Sequence, residues 1–103
     1  MSEEELRQKL QDSIDWTFKV TLGEETSKVV YSYLKDNFDL SKDTVLDEPK
    51  KFSDGLKTLF GPGATILLSF IIRNLASTLN IEFKSRFFDE QIEEAKASFN
   101  QSG

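Results

Sequence analysis

Apolar positions recur along most of this chain at helical intervals. Leu6, Leu10, Ile14, Phe18 and Leu22 follow one another every four residues, a spacing that winds slowly around a 3.6-residue helix and predicts one long amphipathic element. Ser2 stands at its N-cap with Glu5 in the capping-box position. The acidic turn Glu3–Glu5 complements the helix dipole, and Gly23 ends the element. From Glu24 to about Phe38, Val29, Val30, Tyr33, Leu34 and Phe38 predict a second, core-packing helix whose exit begins at Asn37. Leu40–Val45 has room for one helical turn capped by Ser41.

A third helix is expected from Asp47-Glu48-Pro49, because the missing proline N–H costs nothing in a first turn. Phe52, Leu56, Leu59 and Phe60 line its inner face, and Gly55 on that face calls for close approach by a neighbouring helix. Gly61 is placed as its C-cap, with Pro62 enforcing the stop. Ala64–Leu79 follows as the most apolar segment, with Ile66, Leu67, Leu68, Phe70, Ile71, Ile72 and Leu75 on nearly every face. That pattern predicts a helix surrounded by protein, the central post of a bundle. The β-branched Ile66, Ile71 and Ile72 would also suit a buried strand, but the run continues to Leu75 and Leu79 in helical steps. Asn80 closes it. Ile81-Glu82-Phe83 reads as an extended link with alternate residues inward. A last helix is expected over Arg86–Phe99, capped by Ser85, with Phe88, Ile92, Ala95 and Phe99 as its apolar seam. The expectation is an all-α fold: a compact bundle of about five helices in one domain over residues 1–103. Residues 1–22 form the N-terminal helix, 23–99 the bundle core, and 100–103 a frayed tail.

Composition narrows what such a bundle does. With 103 residues, 38% of them apolar and nine of them Phe, one core can be filled without staples. The chain contains no Cys and no His, which removes disulfides, thiolate or imidazole metal sites, and the Ser-His-Asp and Cys-His constellations. Net charge is −5, and the 13 basic residues are scattered among 18 acidic ones. Nucleic-acid binding needs cations gathered on one face, so no direct nucleic-acid contact is expected. The start Met1–Glu5 is acidic with no apolar run behind it, unlike a secretory signal. The apolar stretch Ala64–Ile72 stops at Arg73, short of the roughly 20 residues of a membrane span. A soluble, cytoplasmic protein without membrane contact is the expectation.

Candidate chemistry is sparse. Asp89, Glu90, Glu93 and Glu94 read as the wet face of the last helix, without the glycine-punctuated pattern of a Ca²⁺ loop; no metal or other cofactor is expected. Gly61-Pro62-Gly63-Ala64 precedes a helix, whose N-terminus attracts anions, but Ala64-Thr65 stands where a phosphate loop needs Lys-Ser or Lys-Thr. A tight corner is the expected role of Gly61 and Gly63. Arg73 interrupts the apolar helix: it contacts a ligand anion or partner, makes an ion pair with a neighbouring helix, or lies exposed along the strip Ser69-Arg73-Ser77. The ion pair or the exposed strip is expected. Trp16 and Val20 lie off the main stripe of the first helix and either extend the core face, which is the expected outcome, or form an apolar patch against another subunit.

From about residue 14 to 97, the order of signals resembles the small, mostly archaeal helical domains of the Nitrosopumilus output-domain type. The resemblance rests on Leu22-Gly23-Glu24 before a Val-Val-Tyr helix, Asp47-Glu48-Pro49, and Lys51-Phe52-Ser53-Asp54-Gly55-Leu56. It continues through Leu59-Phe60-Gly61-Pro62-Gly63-Ala64, Leu79-Asn80-Ile81-Glu82-Phe83, and Phe88, Ile92 and Glu93-Glu94-Ala95. It implies an all-helical domain in signalling and no catalytic residue. The functional expectation is a non-enzymatic interaction or regulatory module whose partner is a protein or a second copy of itself, a homodimer. The alternatives are an anion or small-molecule site built from the Gly61–Ala64 corner and Arg73, and an acidic protein that sequesters a basic or nucleic-acid-binding partner.

Overall fold

Local chemistry sets the helix ends. The computed structural model describes residues 2–101, with side chains through Ser98. Helix α1 (Glu3–Leu22) begins at Ser2, whose Oγ accepts from the Glu5 N–H at 3.2 Å while the Ser2 N–H donates to Glu5 Oε1 at 3.3 Å. Gly23 ends it with φ of 87°, where a side chain would be strained. Helix α2 (Glu24–Phe38) closes on Asp39, in the left-handed region at φ 53°, rather than at Asn37. A 3-10 turn forms at Lys42–Thr44, where the segment has room for one, and the Ser41 N–H donates to Thr44 Oγ1 at 3.0 Å. Helix α3 (Pro49–Phe60) starts on its proline. Gly61, at φ 60°, and the 3-10 turn Gly61–Gly63 turn the chain into α4 (Ala64–Leu79), which Asn80 closes at φ 55°. Helix α5 (Phe88–Gln101) completes an all-α bundle.

The core follows the predicted stripes. Leu6, Leu10, Ile14 and Phe18 of α1 are fully buried together with Phe52 and Leu56 of α3 and Ile92 of α5. Phe52 bridges the elements, its ring 6.4 Å from that of Phe18 and 5.5 Å from that of Phe88. Gly55 lets α3 approach α2: a Cβ there would come within 2.6 Å of Leu34 Cδ2. The link Ile81–Phe83 alternates half-buried and exposed positions as expected.

Other expectations are corrected. α4 is not surrounded by protein: Ile66 is 59% and Phe70 36% exposed. Val29 and Leu59 also face solvent, since the apolar stripes of α2 and α3 are wider than the surfaces that cover them. The last helix starts at Phe88, and Ser85 does not cap it. The N–H groups of Lys84 and Ser85 instead donate to the two carboxylate oxygens of Glu94, each at 2.9 Å, while Gln91 Nε2 holds the Ser85 carbonyl. Glu94 is therefore a clamp on the incoming link, and these bonds hold its carboxyl below the usual carboxylate range. Helix α5 continues through Gln101, so residues 100 and 101 are helical; the side chain of Phe99 and residues 102–103 lie outside the described residues.

Part of the stretch Pro49–Leu79 has a mean hydropathy of 1.5, enough by length and composition alone for a membrane span. The break at Gly61 divides it into helices of 12 and 16 residues, each short of the roughly 20 needed.

Candidate interaction surface

Helix α1 has two flanks, and they differ in chemistry. On one flank polar side chains stitch it to α2 and to the segment around the 3-10 turn. Arg7 forks onto Asp47, with Nη1 at 2.9 Å from Oδ2 and Nη2 at 3.2 Å from Oδ1, and Nη1 also donates to the Asp43 carbonyl. The hydrogen bonds and charge of Arg7 hold the Asp47 carboxyl below its ordinary range. Higher on the same flank the Tyr31 hydroxyl donates to Asp15, and Lys42 Nζ sits 3.2 Å from Asp15 Oδ2 and 5.1 Å from the centre of the Tyr31 ring. Burial, then the hydrogen bond to Asp15, push the Tyr31 hydroxyl far up. These contacts span up to 40 residues of sequence, which is why no local pattern announced them.

On the other flank α1 meets α4. One side-chain hydrogen bond marks this seam, from Ser13 Oγ to Asn74 Oδ1 at 2.7 Å. Thr17, one turn further, has a buried hydroxyl with no partner among the described residues. Arg7 reaches Asp47 just before α3, and Phe18 lies against Phe52 within it, so the chain advances in the direction of α1 as it passes from Asp47 into α3. The Gly61 corner then returns α4 antiparallel to α1. With Ser13 opposite Asn74, a rise of 1.5 Å per residue puts Trp16 level with Phe70 and Ile71, and Val20 level with Ile66 and Leu67. At 100° per residue, Val20 and Trp16 lie about 20° and 60° outward from Ser13, with Lys9 between them, and Phe70 and Ile66 lie about 40° and 80° outward from Asn74, with Ser77 between them. All four thus border the solvent side of one seam. Trp16 is 53% and Val20 63% exposed, so the expectation that they extend the core is overturned, and they flank an apolar surface instead.

This surface has an unusual charge balance. The exposed face of α4 comprises Thr65, Ile66, Ser69, Phe70, Arg73, Ser77 and Thr78, without a carboxylate, in a chain holding 18. Arg73 lies exposed on the Ser69-Arg73-Ser77 strip, its guanidinium 5.8 Å from the centre of the Phe70 ring, with no ion pair among the described residues. Sequence reasoning read Ile66 and Phe70 as core. The signal that places them outside was present: on a helical wheel both fall within about 60° of that strip.

The remaining candidates stay apart. Gly61 and Gly63 form the α3–α4 corner, and Arg73 lies ten residues beyond Gly63, about 15 Å along the axis. The corner and Arg73 therefore do not assemble one anion site. A groove of about 480 Å³ beside α3 and the start of α5 holds Lys50, Lys57 and Arg86 together with Asp54, Asp89 and Glu90, and exposes Phe87. A second, of about 530 Å³, runs past Asp47, Glu48, Lys51 and Glu93. Both mix charges of opposite sign. No cluster of potential metal ligands occurs among the described residues. Compared with known proteins, the chain matches no family model, no curated protein and no solved structure.

Proposed function

We propose that this protein is a non-enzymatic interaction module, soluble and cytoplasmic, that binds a protein partner through the outer α1–α4 surface. The observation that carries the reading is the row Trp16, Val20, Ile66 and Phe70, left in solvent beside a carboxylate-free helix face. Large apolar side chains gathered on one exposed face mark interaction sites. Aromatic residues and arginine are the types that concentrate binding energy. The absence of His and Cys, together with a groove in which Lys50, Lys57 and Arg86 offset Asp54, Asp89 and Glu90, supports a binding rather than a catalytic role. The resemblance to helical output domains points to signalling as the setting and supplies no site residue of its own.

The test is a paired substitution, Trp16→Glu with Phe70→Glu, followed by capture of partners from the native cell. Loss of the captured protein is expected from a variant that still unfolds cooperatively, its melting temperature lowered by no more than about 10 °C. Undiminished capture by the double variant would refute the reading.

A further inference from the structure

The α1–α4 surface is complementary to itself. Resting on the interaction reading above, we propose that its occupant is a second copy of this chain, in a two-fold dimer whose axis runs along the α1–α4 seam. Such an axis lays α4 of one copy across α1 of its partner, antiparallel, and preserves the level of every residue along the seam. The register fixed by Ser13 and Asn74 then sets Ile66 against Val20 of the other copy and Phe70 against its Trp16. One turn further, Arg73 meets Asp12.

That last pairing distinguishes a second copy from an arbitrary apolar partner. Asp12 is exposed on the outward face of α1, accepts only from its own neighbour Gln8 at 2.9 Å, and makes no ion pair among the described residues. Arg73 is the sole charged residue of α4 and is equally without an ion pair. They stand at matching levels on opposite edges of one patch, so the two-fold operation brings unlike charges together twice. The patch is about 24 Å long, from the 16 residues of α4, and about 20 Å wide across two helices. Roughly 500 Å² per copy lies below the ~800 Å² of a standard interface, which makes the dimer weak and concentration-dependent.

The experiment uses reversed charges. Sedimentation equilibrium of the wild type, up to about 1 mM, is expected to show the mass rising from 11.8 kDa toward twice that value. Arg73→Asp and Asp12→Arg, each alone, place like charges face to face, and each is expected to weaken dimerisation at least tenfold. An equimolar mixture of the two variants has unlike charges at both contacts and is expected to recover the wild-type mass. Circular dichroism of each variant confirms that both fold. A wild type that stays monomeric through 1 mM, or a mixture no heavier than its components, overturns the self-pairing. The broader interaction reading falls separately, through undiminished capture of a foreign partner by the Trp16→Glu, Phe70→Glu variant.

Discussion

Where α1 meets α2 and the 3-10 turn, Arg7 and Asp15 direct their charge onto Asp47, Tyr31 and Lys42. Where the same helix meets α4, one Ser13–Asn74 bond holds the seam, and Trp16 and Val20 stand in solvent. Both seams have buried leucines and isoleucines beneath them, so the contrast lies in how each is finished at the surface. Polar pairing on the first flank fixes which segments lie side by side, because a half-buried charge tolerates few alternative partners. Apolar side chains on the second flank are only partly covered in the isolated fold, and the area they leave in solvent is free to be buried by association.

The largest test of this contrast uses two aromatic residues only two positions apart. Phe18 is fully buried against Tyr31 and Phe52, and Phe18→Ala should cost about 3–5 kcal/mol. That is a large part of the whole stability of a domain this size, so denaturant titration should show a partly or wholly unfolded variant. A loss below about 1 kcal/mol would mean that the stitched flank does not rest on this core.

Removing the Tyr31 hydroxyl is the next step down. Tyr31→Phe leaves Asp15 with Lys42 alone and should cost about 1.5 kcal/mol, the usual contribution of a hydrogen bond to a charged group. Because the folded protein holds the Tyr31 proton more tightly than the unfolded chain, its contribution is complete below about pH 10 and declines as pH rises toward the elevated value. Wild-type stability should therefore fall with rising pH above 10 more steeply than that of Tyr31→Phe. Urea titrations on both sides of that pH would show parallel curves if Tyr31 were not held in its neutral form. The α4 flank offers the converse case. Thr17 buries a hydroxyl that no neighbour among the described residues satisfies, so Thr17→Val should stabilise the fold by about 1 kcal/mol.

Much of the fold was legible because helix ends are local. Ser2 with Glu5, Gly23, Pro49, Gly61 and Asn80 each act within a few residues, and each marks a boundary where the pattern placed it. Burial is a property of neighbours. Val29, Leu59, Ile66 and Phe70 satisfy the helical period as well as Val30, Leu56, Leu67 and Ile71 do, yet only the second group is covered. Periodicity gives the width of a stripe but not how much of it another helix reaches. Arg7 and Asp47 were silent for a related reason. Each resembles an ordinary surface charge until the chain between them folds back. The proposed interaction surface is half visible in the sequence, through Trp16, Val20 and Arg73, while its α4 row reads as core.

Arg7 and Asp47 also predict an acid-side effect smaller than that of Tyr31. The carboxyl of Asp47 is held below its ordinary range, so the stabilisation is present above about pH 4 and is lost as pH falls through the depressed value. Half of the Asp47 side chain is exposed, and solvent screening limits the pair to about 0.5 kcal/mol. The difference between wild type and Asp47→Asn, measured by urea titration from pH 7 to pH 2.5, should shrink toward zero at the acid end. A gap that persists at pH 2.5 would assign the effect to the shape of the amide rather than to charge.

The smallest expected effect separates the two flanks most sharply. Trp16→Ala removes more side chain than any other substitution in α1, yet with half of the indole in solvent and no hydrogen bond from it, the monomer should change by less than about 0.5 kcal/mol. The measurement is a denaturant midpoint at micromolar concentration, where self-association is negligible. Phe70→Ser, about one-third exposed and on the opposite side of the seam, should cost somewhat more, about 1 kcal/mol, because more of this residue than of Trp16 is covered in the monomer. If Trp16→Ala instead costs 2 kcal/mol or more in dilute solution, the indole supports the fold. The α1–α4 flank would then be a closed seam like its counterpart. If the cost is near zero, this large residue has no role in the monomer's stability, which is the outcome the proposed contact with a partner calls for.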